Sequence, residues 1–368
     1  MPGRRRTLVL VNPNGLMSGA EIVALRLAHV AIDSGWRVVL VAPAGVFAAR
    51  AESLGVECVR IPELRMVRGP RPLAAVAVAA RAVVAARAVR SVSRGAEVVV
   101  ANGVLALPAL RLARLRSPVV WIVHDVLLRR DLIRVVRSCS AMIVLAIAPS
   151  ESAASQPAVQ GIDTRIVRHG TTWPVAPAPT NVPSLVVGLA GVLTPWKGQD
   201  VLLDAAARLP AEVTVELMGA AFPKDQDYEL RLRQRAARRD LAGRVRFLGY
   251  CNDPLERMRT WRVAVSASVA PEAAGLSVIE AMSAGVPVVA TDHGGPHEWL
   301  DGAGLLVPPG DATTLADAIE RLLGDRELHD RCAAAGPAVV AAEFALERQL
   351  GALFEAVTSV AGAGPGTG

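Results

Sequence analysis

Two glutamates, Glu272 and Glu280, stand eight residues apart in the segment PEAAGLSVIEAMSAG at 271–285. On one continuous helix, a rise of about 1.5 Å per residue would separate them by about 12 Å. Carboxylates that cooperate in cleaving a glycosidic bond lie roughly 5–9.5 Å apart. The spacing therefore excludes such a pair on one helix and predicts a different task for each glutamate.

Gly275 predicts where the helix between these glutamates begins. As a helix breaker ahead of the apolar run SVIEAMSAG, it would leave Glu272 in a loop and put Glu280 about one turn inside the helix. The backbone N–H groups near Gly275, Leu276 and Ser277 would then form a positive helix start that suits a diphosphate. A ribose diol suits Glu280 and the hydroxyls of a second sugar suit Glu272. Taken alone, the pattern fits a helix cap with one exposed glutamate equally well.

Lys197 precedes Gly198 at the start of another predicted helix, in GVLTPWKGQDVLLDA at 191–205. A lysine can meet a phosphate as a point charge, and the helix dipole disfavours a cation at this end, which favours an anionic partner over a merely solvated side chain. Gly19 and Ala20 open a further helix, and small residues there let N–H groups approach an anion. On its own, that stretch is better explained as an ordinary turn between strand and helix.

Motifs for other cofactors and for metals are weak. No glycine-rich segment has the spacing of a nicotinamide-binding or Walker loop. Asp225 and Asp227 match a metal-binding D-x-D, but Asp227 also suits a helix cap, and Gly294–Pro296 predicts a loop between His293 and His297. The four cysteines lack C-x-x-C spacing. The sequence therefore predicts no metal site and no disulfide framework.

Short apolar runs that alternate with helix-length segments must position these residues. They predict buried parallel strands at 7–13, 37–43, 97–103, 118–125 and 141–147, and again at 184–192, 213–219, 244–250, 262–268 and 287–292. Helices are predicted at 20–34 and 73–94, among others, and a proline-rich break lies at 174–183. The pattern predicts an α/β protein of two doubly wound units, with ligands at the carboxyl ends of the strands.

Charge is distributed unevenly along the chain. The first 180 residues hold 23 arginines, no lysine and 10 acidic residues, a net charge of +13, so the remainder carries −7 of the total of +6. A basic first half indicates an anionic partner. The basic segment 65–94, which includes Arg65, Arg68, Arg71, Arg87, Arg90 and Arg94, resembles a membrane-surface helix, with a solvated face as the equal alternative. Nucleic acid is disfavoured because stacking aromatics are absent there.

The chain resembles the retaining glycosyltransferases of family 4 (glycosyl transferases group 1), which have the GT-B fold. The resemblance runs nearly end to end, through the turn at 15–21, HD at 124–125, GVLTPWKGQD, RVRFLGY, the two glutamates and AMSAGVPVVATDHGGPHEWL. It implies two Rossmann-like doubly wound domains facing across a cleft. It also implies a retaining, metal-independent hexosyltransferase whose donor is a nucleoside-diphosphate sugar, with no further cofactor.

The resemblance assigns roles to particular residues. It gives three catalytic residues: Lys197 for the donor diphosphate, Glu272 for hydroxyls of the transferred sugar, and His124 meeting that sugar from the first domain. The implied substrate-binding residues are Gly275, Leu276 and Ser277 for the diphosphate, Glu280 for the ribose, Tyr250 and Cys251 beside the base, and Gly19 and Ala20 in the first domain. The chain departs from the family at Val192, where an arginine is usual, and at Ala274, where an aromatic residue is frequent.

The expected organisation follows from this resemblance. We expect an acceptor-binding domain at 1–173, a nucleotide-sugar-binding domain at 174–343, a helix at 344–360 that crosses back to the first domain, and a disordered tail at 361–368. The start of the chain predicts a buried strand rather than a signal peptide. The longest uncharged stretch, 169–196, contains five prolines and predicts no spanning helix. A cytoplasmic enzyme, peripheral on the inner face of the membrane, is expected.

The expected partners are the nucleotide-sugar donor, a lipid-linked, polysaccharide or other sugar acceptor, and an anionic membrane surface. Two alternatives remain open at this point. One is a GT-B protein that binds a nucleotide sugar without turnover, which Val192 favours. The other is a transferase that acts on a soluble natural-product acceptor.

Overall fold

The structure is a computed structural model that describes residues 5–65, 71–172, 185–251 and 253–361. The chain divides into two units, Met1–His169 with Glu347–Gly368, and Gly170–Leu346. The predicted linker at 174–183, the tail beyond 361 and Arg68 lie outside the described residues.

The first unit contains a seven-stranded parallel sheet. Its strands are β1 (Thr7–Val11), β2 (Arg37–Ala42), β3 (Glu57–Arg60), β4 (Val98–Asn102), β5 (Val119–Ile122), β6 (Ile143–Ala148) and β7 (Thr164–Ile166). They are ordered β3-β2-β1-β4-β5-β6-β7. The connecting helices are α1 (Gly19–Asp33), α2 (Val46–Ser53), α3 (Arg71–Val92), α4 (Leu107–Ala113), α5 (Arg130–Cys139) and α6 (Glu151–Ala154).

The second unit contains a six-stranded parallel sheet. Its strands are β8 (Val186–Ala190), β9 (Thr214–Met218), β10 (Val245–Gly249), β11 (Val263–Ser266), β12 (Val288–Thr291) and β13 (Gly304–Val307), in the order β10-β9-β8-β11-β12-β13. The helices are α7 (Gln199–Ala206), α8 (Gln226–Ala236), α9 (Pro254–Met258), α10 (Leu276–Ser283), α11 (Gly295–Trp299), α12 (Ala312–Gly324) and α13 (Arg326–Glu343).

The last helix, α14 (Leu346–Thr358), belongs to the first unit. Its Leu353, Ala356 and Val357 are buried in the same core as the strand residues Leu8 and Leu40. The Phe354 ring also meets Trp36 edge-on, with 5.8 Å between the ring centroids. Aromatic pairs in this geometry add stabilisation beyond the area that they bury. The first unit is therefore built from both ends of the chain.

Apolar, β-branched residues explain both sheets. The central strands β1 and β4 are buried along their whole length, as expected for strands covered by helices on both faces. All ten strands predicted from the sequence are present and parallel, so the predicted α/β fold of two doubly wound sheets is confirmed.

Both sheets have a topological switch point, where successive strands are added on opposite sides of the first. It lies between β1 and β4 in the first unit and between β8 and β11 in the second. In open parallel sheets, ligands bind at the carboxyl ends of the strands on either side of this point. Functional side chains are therefore expected at these two places.

Two local predictions were wrong. The loop predicted at Gly294–Pro296 is the start of α11, because proline fits the first turn of a helix, where its missing N–H is not needed. The helix predicted at 73–94 ends earlier, at Val92, so Arg94 follows α3 and does not lie on it with Arg87 and Arg90.

Candidate functional site

Lys197 lies just beyond β8, at the end of a 3-10 turn at Pro195–Lys197. The next residue, Gly198, has a φ of +67°, and a Cβ atom there would lie 1.9 Å from the Ala267 carbonyl oxygen. Only glycine lets the turn approach the end of β11 so closely. The Val269 N–H also donates to the Trp196 carbonyl over 2.8 Å. The turn thus brings Lys197 from β8 to β11, across the switch point of the second sheet.

Lys197 and Glu272 form a buried ion pair. The Lys197 Nζ lies 2.7 Å from Glu272 Oε2, and the two side chains are 15% and 8% exposed. Glu272 lies in the loop between β11 and α10, as predicted, and its side chain is buried. The Lys197 ammonium also lies over the Trp196 ring, 4.5 Å from its centroid. The structure thereby joins two residues for which the sequence predicts separate tasks.

Two serines complete the surroundings of Glu272. The Ser266 hydroxyl donates to Glu272 Oε1 over 3.1 Å, and the Ser268 hydroxyl donates to the same oxygen. Burial alone would raise the pKa of Glu272, but the Lys197 ammonium and these hydroxyls outweigh it and hold the pKa below its usual value. The carboxylate therefore stays ionised. Neither serine was predicted from the sequence, because each reaches Glu272 through the fold of the loop after β11.

The helix α10 begins at Leu276, as predicted, with Gly275 as its N-cap at a φ of +62°. A Cβ atom at Gly275 would lie 2.7 Å from Pro296 Cγ, so glycine is required there for space as well as for backbone conformation. Leu276 and Ser277 occupy the first turn, where backbone N–H groups lack helical partners. Glu280 is the fifth residue of the helix and is half-buried. The ribose and diphosphate roles of this helix stay predictions.

Tyr250 and Cys251 follow β10 at the same carboxyl edge of the sheet. The Tyr250 side chain is exposed, and the Cys251 thiol donates to the Asp253 carbonyl over 3.3 Å. One strand, β9, separates β10 from β8, so these residues lie away from the switch point itself. A role beside a nucleotide base stays a prediction for both.

A buried polar cluster occupies the switch point of the first unit. Asn12 follows β1 and Asn102 ends β4, and the Asn102 amide donates to Asn12 Oδ1 over 2.7 Å. The predicted His124, just beyond β5, brings its Nε2 within 2.6 Å of Asn102 Oδ1. The sequence analysis missed both asparagines. The signal that could have found them is that each stands at the end of an apolar strand.

The start of α1 contributes to this cluster. The helix begins at Gly19, as predicted, and the Ala20 carbonyl accepts a 3.4 Å hydrogen bond from the Asn102 amide. The neighbouring Glu21 is buried and accepts hydrogen bonds from the side chains of Ser18 and Asn12, among others. In these contacts Glu21 orients the loop after β1, whereas substrate binding by Gly19 and Ala20 stays a prediction.

Two histidines lie close together beside the cluster. The rings of His124 and His169 have centroids 5.7 Å apart. Burial, with the neighbouring His169, lowers the pKa of His124 to about 3, and burial, with the Arg26 charge, lowers the pKa of His169 to about 4. Both imidazoles are therefore neutral at pH 7, and they can offer hydrogen bonds but no positive charge to a ligand.

No metal-binding group of three or more His, Cys, Asp or Glu side chains occurs within the described part of the chain. The N-cap of α8 is Asp225, and Asp227 lies inside the first turn, so the cap predicted at Asp227 was wrong by two residues. His293 Nε2 lies 2.7 Å from the Ser268 carbonyl oxygen, whereas His297 Nδ1 lies 2.5 Å from Asp292 Oδ1. The two histidines therefore have separate partners.

Two family models together match most of the chain. The model described as Glycosyltransferase Family 4 matches residues 17–170, and the one described as Glycosyl transferases group 1 matches residues 177–339. Each match falls almost entirely within one of the two units. The first contains the cluster around His124, and the second contains the Lys197–Glu272 pair.

Several known proteins are similar to this chain. The lipopolysaccharide core biosynthesis mannosyltransferase LpsB of Rhizobium meliloti is 33% identical over 185 residues, which cover 46% of this chain and 51% of LpsB. A phosphatidyl-myo-inositol mannosyltransferase of Mycobacterium leprae is 37% identical over 153 residues, covering 40% of this chain and 39% of that protein. The chain thus spans about half or less of the length of these curated relatives.

A solved structure is similar over nearly the whole length. The crystal structure of Anabaena HepE in complex with UDP-glucose is 26% identical, with a TM-score of 0.82, and the match covers 96% of this chain and 99% of HepE.

Proposed function

Since the chain belongs to family 4 of the glycosyltransferases, with the GT-B fold, we propose that it transfers a hexose-type sugar from a nucleoside-diphosphate sugar to an acceptor hydroxyl. The observation that carries this proposal is the buried Lys197–Glu272 pair at the switch point of the second sheet, where the turn after β8 meets the loop that leads into α10. The reaction exchanges the bond between sugar and diphosphate for a glycosidic bond and releases a nucleoside diphosphate and a proton.

Lys197 supplies the charge that this reaction needs. Negative charge develops on the diphosphate as its bond to the sugar breaks, and preorganised donors at that point stabilise the transition state. The Lys197 ammonium, already held by Glu272 and Trp196, is fixed in advance of donor binding. The N–H groups of Leu276 and Ser277 at the start of α10 add the positive end of a helix.

The two glutamates bind different parts of the donor in this proposal. Glu272 orients hydroxyls of the transferred sugar and stabilises the charge on Lys197 through Oε2. Its other oxygen, Oε1, accepts from two serine hydroxyls, which hold the carboxylate in place. Glu280, one turn into α10, binds the ribose. Transfer retains the anomeric configuration, and Lys197 with the helix start serves where a metal ion would otherwise neutralise the diphosphate. No cofactor besides the donor is proposed.

We place the acceptor at an anionic surface, and a lipid-linked or polysaccharide acceptor fits the names of the similar proteins. The helices α3, α4 and α5 of the first unit pack side by side. Exposed arginines on and beside them include Arg87, Arg90, Arg94, Arg111, Arg114, Arg130, Arg134 and Arg137. Exposed apolar side chains on α3 are Leu73, Val76, Val83 and Val84. No helix in the described ranges is long and apolar enough to cross a bilayer, so the contact we propose is peripheral.

Nucleotide binding tests the proposal first. A ligand at 100 times its dissociation constant adds about 2.7 kcal/mol to the free energy of unfolding, which a thermal-shift screen over nucleoside diphosphates and their sugars detects. The chain offers a matched control, because its second lysine, Lys224, is exposed in the turn before α8. Lys197→Met should weaken the binding of the diphosphate, whereas Lys224→Met should not. Equal binding by both variants would refute the assignment of Lys197.

A second candidate is a protein that binds a nucleotide sugar without turnover. It is favoured by one observation, that Val192 stands where the resemblance leads one to expect an arginine, so fewer cations face the diphosphate. Release of nucleoside diphosphate from a bound donor, measured with and without acceptor lipids, separates the two. A bound donor that is never consumed would support the second candidate.

A further inference from the structure

The hydrogen bonds of the first unit fix a property of His124 that its sequence position does not reveal. We infer that Asn12 and Asn102 are positioning residues, which hold His124 as the neutral tautomer protonated on Nε2 and so present its Nδ1 lone pair to a hydroxyl of a bound sugar. The identity of that hydroxyl rests on the proposed function. The tautomer itself follows from donors and acceptors within the first unit alone.

The first step is the orientation of Asn12, which is fully buried. Its amide nitrogen lies 2.7 Å from the backbone carbonyl oxygen of Asn14 and 3.3 Å from a carboxylate oxygen of Glu21. A backbone carbonyl can only accept, so the atom facing it must be the NH₂ group. The opposite atom, which faces Asn102, is therefore the acceptor Oδ1.

The second step is the orientation of Asn102, also buried. The atom 2.7 Å from Asn12 Oδ1 must be a donor, and the same atom lies 3.4 Å from the backbone carbonyl of Ala20, a second obligate acceptor. Both contacts require the NH₂ group of Asn102 on this side. Its Oδ1 is therefore the atom that faces His124.

The third step is the proton on His124. Asn102 Oδ1 lies 2.6 Å from His124 Nε2 and can only accept, so Nε2 must carry a hydrogen. Burial and the neighbouring His169 lower the pKa of His124 to about 3, so the ring carries one proton at pH 7. With that proton on Nε2, the Nδ1 atom is left with a lone pair. Two backbone carbonyls thus determine the tautomer through two asparagine side chains.

The consequence is a ring that accepts a hydrogen bond from substrate and does not donate one. Among the described residues, His169 faces His124 with ring centroids 5.7 Å apart, the Arg26 charge acts on His169, and the carboxylate of Glu21 lies beyond Asn12. The orienting groups next to His124 are therefore amides, which do not favour the imidazolium as an adjacent carboxylate would. A sugar hydroxyl can donate to Nδ1 in this state, and protonation of the ring would abolish that contact.

Asn102→Asp tests this inference, because it replaces the side-chain amide by a carboxylate of nearly the same shape. A carboxylate beside Nε2 favours the imidazolium, so the pKa of His124 should rise, and at a pH below that new pKa Nδ1 carries a proton and cannot accept. Loss of one such hydrogen bond corresponds to roughly a tenfold loss in affinity for the nucleotide sugar. Affinity for the nucleoside diphosphate without sugar should change less than twofold. Turnover by the variant should acquire an acid limb and recover as the pH rises past the new pKa of His124.

Asn102→Leu is the companion variant. It removes the acceptor without adding charge, so it should weaken sugar-dependent binding about as much without producing an acid limb. An Asn102→Asp variant whose turnover and pH profile match those of the wild type would overturn the inference.

Nitrogen-15 NMR of histidine-labelled wild-type protein, with no ligand, reads the tautomer directly. The His124 signals, identified by their loss in His124→Gln, should show a protonated Nε2 and an unprotonated Nδ1 at pH 7. A proton on Nδ1 would overturn the inference whether or not any variant folds. The predicted tautomer in a protein that binds no nucleotide sugar would support the positioning role and refute the proposed function, so the two failures are distinguishable.

Discussion

Replacing Lys197 with methionine should destabilise the protein because it leaves the charge of Glu272 buried without its counter-ion. The Glu272 side chain is 8% exposed, and its Oε2 atom lies 2.7 Å from the Lys197 ammonium. Breaking a buried ion pair by removing one partner costs about 3–5 kcal/mol. Since the hydroxyls of Ser266 and Ser268 remain as partners, we expect the lower end of that range, about 3 kcal/mol.

Urea unfolding measures this loss, with two further variants beside Lys197→Met. The exposed Lys224→Met should stay within about 0.5 kcal/mol of the wild type, as surface substitutions usually do. The double variant Lys197→Met with Glu272→Gln should recover most of the lost stability, because it no longer buries an unpaired charge. Adding the single variant Glu272→Gln completes a double-mutant cycle, which gives the coupling energy of the pair.

The pH dependence of these variants has a definite sign. The pKa of Glu272 is lowered in the folded wild type, so the stabilisation from the pair is present above the unfolded pKa and is lost as the pH falls through the folded pKa. In Lys197→Met, burial should instead raise the pKa of Glu272, so the deficit relative to wild type should shrink on acidification. Equal urea midpoints for Lys197→Met and Lys224→Met at neutral pH would refute this reasoning about the pair.

The remaining predictions concern the roles of the two glutamates, the effect of metal removal, binding to membranes and stability at acid pH. Glu280→Gln should mainly weaken nucleotide binding, whereas Glu272→Gln should mainly lower turnover, and equal effects on nucleotide affinity would contradict the division of labour. Turnover should be unchanged in excess EDTA. A loss of turnover in EDTA that added manganese reverses would instead implicate Asp225 and Asp227 in metal binding. Changing Arg87, Arg90 and Arg94 to glutamate should abolish binding to anionic vesicles at low salt and leave nucleotide affinity unchanged. Each basic residue contributes about 1 kcal/mol to binding near such a surface. Wild-type protein that does not bind these vesicles would favour a soluble acceptor. The first unit should lose stability as the pH falls from about 6.5 to 4, because His169 has a folded pKa of about 4 and His124 one of about 3, so both take up a proton on unfolding in this range. His169→Phe should reduce that loss, and His124 should account for the rest, in acid titrations followed by circular dichroism.

The strands missed by the sequence analysis share one physical feature. β3, β7 and β13 each lie at an edge of a sheet, where one side of the strand has no neighbour. The segments ECVR in β3 and TRI in β7 contain charged residues and no continuous apolar run, whereas β13, GLLV, is apolar but only four residues long. Central strands are buried on both faces and therefore carry the long Val and Ile runs that made them predictable.

The candidate site was predictable in its parts but not in its connections. The start of α10 at Gly275 follows from a glycine ahead of an apolar run, which is a local signal. The pairing of Lys197 with Glu272 depends on β8 and β11 being neighbours in the sheet, and sequence spacing carries no such information. The same holds for Asn12 and Asn102, which meet because β1 and β4 are adjacent.

The proposal that a nucleotide sugar binds at the carboxyl edge of the second sheet is tested most directly by amide hydrogen exchange with and without a nucleoside diphosphate. The account predicts slower exchange in two segments, the turn that holds Lys197 at 191–198 and the start of α10 at 275–280, and a smaller effect in Lys197→Met than in Lys224→Met. A nucleotide that binds but slows exchange only elsewhere in the chain would contradict the account.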